Sequence, residues 1–256
     1  MRSWILLRGW AREARHWGDF PAQLKAVMPE ARIVALDLPG NGQLYRRPSP
    51  LTVGSMVERC RESLRSQDAA RPYYLFGLSL GGMVSTEWAS RHPEEVAACV
   101  LVNTSLRPFN SFRERLRPRS YGTLLRLAFI ERDPRAREAA ILHLTSARRG
   151  PRTDLISSWA RYGEEQPVSR LNALRQVAAA ARYRAPDAPP VPILVLAGAG
   201  DRLVDAKCSE NLARRWKVPI AVHPTAGHDL TLDDGPWAAA QVARWIARRD
   251  QQSASA

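Results

Sequence analysis

Apolar residues along this chain follow two alternating rhythms: short unbroken runs, and longer runs spaced three and four apart. Ser3 to Leu7, Arg32 to Leu38, Arg71 to Phe76, Val96 to Val102, Val191 to Gly198 and Val218 to His223 are of the first kind, as expected of strands buried in a parallel sheet. The second rhythm predicts helices. Phe20 to Val27 is one, stopped near Pro29, and Thr52 to Ser66 another, with Val53, Met56, Val57, Cys60 and Leu64 at helical spacing. Gly82 to Ala89 is a third, ended by Arg91-His92-Pro93 because proline disfavours helical geometry in the residue before it. Trp237 to Ala247 closes the chain. Strand and helix in alternation predict an α/β fold, a mostly parallel sheet with helices on both faces.

The alternation lapses from Arg107 to about Pro190, where no strand is predicted. Gly122 to Ile130, Arg135 to Ala147, Pro151 to Tyr162 and Pro167 to Tyr183 read as helices, with Asp133 and Pro134 as cap and first-turn proline of the second. Leu171, Leu174, Ala178 and Ala181 share one face of the last. The proline-rich run Ala185 to Pro190 is a stiff hinge back to the sheet. The predicted division is a core of residues 1–106 and 191–256 and a helical insertion of residues 107–190.

The stretch Phe76-Gly77-Leu78-Ser79-Leu80-Gly81-Gly82 carries a G-x-S-x-G pattern between a strand and a helix. A serine at so sharp a turn sits at strained backbone angles, so the positions two before and two after must be small. The turn also aims the amides of the following helix at the serine, where they favour an oxyanion, and Leu80 supplies one. In this context the motif resembles the nucleophile elbow of the α/β-hydrolase family of serine hydrolases, and the resemblance covers most of the chain outside its middle third.

That resemblance implies roles for further residues. Arg8-Gly9-Trp10 stands where the family commonly reads His-Gly-x, so the Trp10 amide would be the second oxyanion donor. Arg8, in place of histidine, either brings a cation to the substrate or turns to solvent or a nearby carboxylate. Asp37-Leu38-Pro39-Gly40-Asn41-Gly42 resembles a loop bordering the site, with Asp37 its organiser. Ala199-Gly200-Asp201 resembles the loop that carries the triad acid; Asp201 is preferred to Asp205 because it leaves the strand immediately. His228, in the loop after the last strand, is the candidate base, and the order Ser79, Asp201, His228 is the family's. His16 belongs to the first loop, His92 ends a helix and His223 lies in a strand. His143, on the insertion that would form a cap, is a candidate for touching substrate. Asn103 stands where some relatives carry the acid, but an amide cannot stabilise an imidazolium. Asp229, Asp233 and Asp234 read as surface or helix-start residues.

The implied chemistry is hydrolysis of a carboxylic ester or thioester through an acyl-enzyme on Ser79, without cofactor or metal. A lyase or a C–C bond hydrolase could use the same three groups. The glycine-tryptophan and G-x-S-L-G loops are also similar to those of the pimeloyl-carrier-protein methyl ester esterases. Cys60, Cys99 and Cys208 are odd in number, widely spaced and without a C-x-x-C pair, which argues against a disulfide framework or a zinc site. The run Trp4 to Leu7 breaks at Arg8, too soon for a signal-peptide core or a membrane span, so the cytoplasm is the expected compartment. The net charge of +13 is carried almost wholly by arginine. No basic helix, zinc finger or RNA-type stacking motif accompanies it, and nucleic acid is not an expected partner. Residues 107–190 hold 17 Arg and no Lys against 8 Asp and Glu, a net +9. An anionic substrate or an acidic acyl-carrier protein is the partner such a segment would draw.

Overall fold

A computed structural model describes residues 2–67 and 69–254. The core strands are β1 (Arg2–Leu7), β2 (Ala31–Leu36), β3 (Tyr73–Leu78), β4 (Val96–Val102), β5 (Ile193–Gly198) and β6 (Ile220–His223). They form one parallel sheet in the order β2-β1-β3-β4-β5-β6. Helices α1 (Phe20–Val27), α2 (Val53–Leu64) and α3 (Leu80–Arg91) lie in the first half. Helices α4 (Phe112–Arg115), α5 (Tyr121–Phe129), α6 (Pro134–Thr145), α7 (Thr153–Glu165) and α8 (Arg170–Arg182) fall between β4 and β5, and α9 (Lys207–Trp216) and α10 (Leu230–Ala254) follow.

Successive side chains of a strand point to opposite faces, and both faces are dry along β1, β3, β4 and β5, while the edge strand β6 leaves Ile220 and Val222 exposed. Ile5, Leu7, Leu75, Leu101 and Val195 pack with α2, α3 and α9, while Trp4, Leu6, Phe76, Val100 and Leu196 pack with α1 and α10. This is why the strands are continuous apolar runs. Each fully buried Leu or Ile contributes about 1.5–3 kcal/mol. The connection from β1 runs through α1 on one face to β2 at the sheet edge, and the connection from β2 runs back through α2 on the other face, past β1, to β3. The crevice beyond the carboxyl ends of β1 and β3 is therefore the switch point where ligands bind in such sheets.

Four elements depart from expectation. β6 begins at Ile220 rather than Val218, because Lys217 (φ +55°) and the bond from Val218 N–H to the Ala213 carbonyl close the end of α9. α10 starts earlier than Trp237, at Leu230, and is broken at Asp234 (φ −151°, ψ 75°), whose carboxylate accepts the Trp237 amide at 3.0 Å and restarts the helix. The short α4, unforeseen in the sequence, opens with a reciprocal cap between Ser111 and Glu114. In α8 the anticipated apolar face points outward: Leu171 and Leu174 are exposed, and Asn172, Gln176 and Ala179 are buried instead. The two ends of the segment between β4 and β5 meet, the Ala185 amide donating to the Arg107 carbonyl at 2.7 Å. Among the described residues no helix is long and apolar enough to cross a membrane.

Candidate active site

Ser79 ends β3 and opens α3 at φ +56° and ψ −115°, a region costly for a residue with a side chain. Its amide donates to the Val102 carbonyl at 2.9 Å, and its carbonyl accepts from the Thr104 hydroxyl at 2.8 Å and the Gly82 amide at 2.9 Å. The glycines have a steric cause. A Cβ on Gly77 would lie 2.4 Å from the Gly81 carbonyl oxygen, and one on Gly81 would lie 2.0 Å from that of Leu7. Leu80 is the first residue of α3, so its amide has no carbonyl within the helix to bond. The loop after β1 lies directly beside it, since a Cβ on Gly9 would come within 3.2 Å of the Ser79 Cβ.

Asp201 and His228 meet over the same crevice. The Nδ1 of His228 lies 2.7 Å from Oδ2 of Asp201, both side chains are buried, and the other carboxylate oxygen accepts the amides of Leu203 at 2.8 Å and Val204 at 2.9 Å. With Nδ1 so engaged, Nε2 is the nitrogen left free to work. Asp205 is turned elsewhere, accepting the Lys207 amide at 3.1 Å and lying 3.7 Å from Arg117. Asn103, at the end of β4 with φ +46°, holds the histidine loop to the sheet. Its amide nitrogen donates to the carbonyls of Gly227 at 3.0 Å and His228 at 2.8 Å, and its oxygen accepts the Gly198 amide at 2.9 Å. Asparagine tolerates the left-handed backbone that this bracing requires. Ser79, Trp10, His228 and Leu203 line one cavity of about 340 Å³, whose walls include Leu127 and Leu144 of the helical segment.

An elbow serine, a carboxylate and an imidazole in this order on such a sheet agree with the relatives that this sequence resembles. Residues 4–244 match the profile of the Alpha/beta hydrolase family. The chain belongs to that family. Across 227 residues, 82% of this chain and 84% of the other, it is 30% identical to a pimeloyl-acyl-carrier-protein methyl ester esterase of Aromatoleum aromaticum. Over 102 residues it is 32% identical to the biotin biosynthesis bifunctional protein BioHC of Teredinibacter turnerae, and there it spans 40% of this chain and only 17% of that protein. An esterase from Exiguobacterium antarcticum superposes with a TM-score of 0.77 over 96% of this chain and 92% of its own, at 15% identity, a likeness of fold.

For this alpha/beta hydrolase the geometry decides one open reading, that of Arg8, in favour of a nearby carboxylate, and corrects two others. Arg8 is not a free cation for substrate: although it borders the cavity, its guanidinium is buried and grips Asp229 at 2.6 and 3.1 Å while lying over the Trp17 ring at 4.8 Å. Asp229 is accordingly no surface residue. Burial alone would push its carboxyl up, but the charge and hydrogen bonds of Arg8 outweigh that and hold it below the ordinary range. Asp233 is also buried, accepting the amides of Gly227 at 2.7 Å and Ala147 at 2.8 Å. His143 is exposed on α6 and is not part of the cavity wall, because the helix turns Leu142 and Leu144 inward and His143 out.

The buried face of α8 explains how the alpha/beta hydrolase core holds the helical segment. Gln176 donates to Asn41 at 2.8 Å and Ser49 at 3.1 Å and accepts the Ala11 amide at 2.9 Å, while Asn172 accepts the Ser49 amide at 2.9 Å. Arg12 pairs with Glu138 of α6 at 2.7 Å and lies over the Trp159 ring. Burial, with Arg12 and Arg8 beside it, drives the His16 imidazole well below its ordinary range, so it is neutral and structural. Asp37 organises its loop by accepting the amides of Ala14 at 2.7 Å and Gln43 at 2.9 Å. Nothing in the sequence marked Gln176 or Asn172, since a glutamine and an asparagine on a helix normally face water.

Proposed function

We propose that the protein is a serine hydrolase that cleaves a carboxylic ester or thioester through an acyl-enzyme on Ser79. The observation that carries this reading is the strained Ser79 at the floor of the cavity, with a His228 braced by Asp201 at 2.7 Å lining the same space. A serine hydroxyl is a weak nucleophile until a base takes its proton. His228 Nε2 accepts that proton as Ser79 Oγ attacks the carbonyl carbon. Asp201 fixes the tautomer and stabilises the resulting imidazolium. The amides of Leu80 and Trp10 receive the oxyanion. Collapse expels the alcohol or thiol, which takes its proton from His228. Water, deprotonated by the same imidazole, then releases the acid and restores Ser79.

A carrier-borne acyl group is the substrate form that a second set of features favours. The cavity mouth is edged by Phe129 of α5 and Leu174 of α8, which are 67% and 59% exposed, with Ile130 beside them 72% exposed. Exposed arginines such as Arg132, Arg135 and Arg170 belong to the same segment, whose net charge is +9. An apolar rim within a basic surface suits an acidic carrier protein presenting an acyl chain. The relative from Aromatoleum aromaticum bears a name of that kind.

The test of the core reading is a fluorophosphonate label followed by peptide mapping, with turnover of aryl esters of graded acyl length. Ser79 should be labelled, and Ser79→Ala should lower kcat by about 10⁴- to 10⁶-fold without unfolding the protein. His228→Ala should fall comparably, Asp201→Asn less and Asp205→Asn little. A Ser79→Ala protein keeping a tenth of wild-type turnover would end the proposal.

A further inference from the structure

We propose that the buried pair Arg8–Asp229 is a positioning device that joins the loop bearing the Trp10 amide to the loop bearing His228 and keeps the charge beside that base balanced. The proposal rests on the serine-hydrolase reading and adds two residues that touch neither the substrate carbonyl nor the serine. Arg8 directly precedes Gly9-Trp10 at the end of β1, and Asp229 directly follows His228; 221 positions of sequence separate them. Both nitrogens of the guanidinium fork are spent on both oxygens of one carboxylate, at 3.1 and 2.6 Å, a geometry that fixes distance and plane together. The pair is held at each end. Trp17 lies under Arg8, the Thr231 hydroxyl donates to Asp229 at 3.2 Å, and the Asp229 amide donates to the Thr145 carbonyl at 2.8 Å.

Its second role is electrostatic. A lone carboxylate next to His228 would stabilise the imidazolium and compete with Asp201 as its partner, and a lone guanidinium would oppose protonation. Paired, the two largely cancel. The remaining charged groups around His228 come from several elements. Asp201, after β5, receives Nδ1; Arg117 and Arg119 of the helical segment donate to the Asp201 carbonyl at 3.2 and 3.1 Å, and Arg117 also faces Asp205. Asp233 accepts the Gly227 amide, Arg12 acts on the charge of Asp229, and Arg137 and Arg170 line the same cavity as His228. None of these is altered by substituting the pair.

The experiment measures kcat/KM for a small neutral aryl ester against pH in the full-length protein, alongside Ser79 labelling. Arg8→Gln leaves Asp229 uncompensated, so the acid limb of the profile should move up by roughly one unit; Asp229→Asn leaves Arg8 uncompensated, and the limb should move down by about as much. The double variant Arg8→Gln with Asp229→Asn should return the limb to the wild-type position while kcat stays about tenfold down, because the amide pair does not reproduce the ionic fork. Arg8→Lys keeps the charge and loses the fork, so it should leave the limb in place and lower kcat rather than raise KM. If the single variants fail to fold, the double and Arg8→Lys variants decide. Limbs that move in the same direction or stay fixed in both single variants, or a double variant and Arg8→Lys with undiminished kcat, would overturn the proposal. Failure of Ser79 to label in the wild-type protein would instead strike the serine-hydrolase reading.

Discussion

Replacing Gln176 with leucine should loosen the site from a distance of several residues. Gln176 is wholly buried in α8 and makes three hydrogen bonds to groups of the core: it donates to Asn41 Oδ1 and Ser49 Oγ and accepts the amide of Ala11. Leucine nearly fills the same volume and removes all three. Ser49 keeps its bond to the Pro39 carbonyl at 2.6 Å, so two groups, the Asn41 oxygen and the Ala11 amide, lose a partner away from water. Each such loss costs about 1–3 kcal/mol, and the added apolar burial returns part of it, leaving a net cost of about 2–4 kcal/mol. For a chain of this size that is a fall of roughly 4–16 °C in Tm, measurable by calorimetry. The functional loss follows from Ala11, which has φ +52° and stands next to Trp10. Without its acceptor the loop is free to relax, and the Trp10 amide leaves the place where the oxyanion would form. Removing one such donor costs about 10²- to 10³-fold in kcat, so displacing it should cost at least about tenfold. A Gln176→Leu protein with Tm within about 2 °C of wild type and unchanged ester turnover would refute the reasoning.

Ionic strength separates the carrier reading from a merely basic surface. kcat/KM for an acyl group on an acidic carrier should fall steeply from low to high salt, turnover of a small neutral ester should not, and Arg132→Gln, Arg135→Gln and Arg170→Gln together should mimic the salt. Equal salt sensitivity for both donors would remove the carrier from the proposal. Acid stability is expected to fall in two stages. His16, held neutral by burial and by Arg12 and Arg8, takes a proton in the unfolded chain near 6.5 but not in the folded one, so stability declines as pH drops below that value, and His16→Gln should flatten the decline. Hydrogen bonding from Arg61 lowers Glu95 from 4.5 to about 2, so its contribution is full above 4.5 and is lost between there and 2; Glu95→Gln should abolish that second stage in urea titrations at stepped pH.

Where function constrains the backbone, the sequence was transparent. The elbow needs glycine at both flanking positions because carbonyl oxygens fill the space, and that need is visible as a pattern. The places of the strands followed from apolar runs closed off by helical spacing, but their order in the sheet did not. The opaque parts share a cause: side chains whose partners lie far along the chain. Arg8 read as ambiguous and Asp229 as a surface or helix-start residue until they met, 221 positions apart. Leu171 and Leu174 looked like a core face because hydrophobicity is the only local cue, whereas α8 is fixed by amide hydrogen bonds that leave no periodic trace. Arg115, Arg117 and Arg119 counted toward a basic surface, yet Arg115 is buried, bonding the Ala180 carbonyl at 2.8 Å, and the other two clasp the loop of Asp201.

Each loop that enters the cavity is fastened to a different part of the segment between β4 and β5. The loop after β1 is tied to α6 and α8 through Glu138, Ala173 and Gln176. The loop of Asp201 is tied to α4, where the Asp205 amide donates to the Glu114 carbonyl at 2.9 Å, and the loop of His228 is tied to the end of α6 through Thr145. Such a segment is not an interchangeable module. A chimera carrying the corresponding helices of a relative would inherit mismatched anchors at all three loops, and turnover would collapse before any new preference could be read. Diversification of this protein would instead proceed by single changes at the mouth, at positions such as Phe129 and Leu174, whose side chains border the opening without fastening any loop.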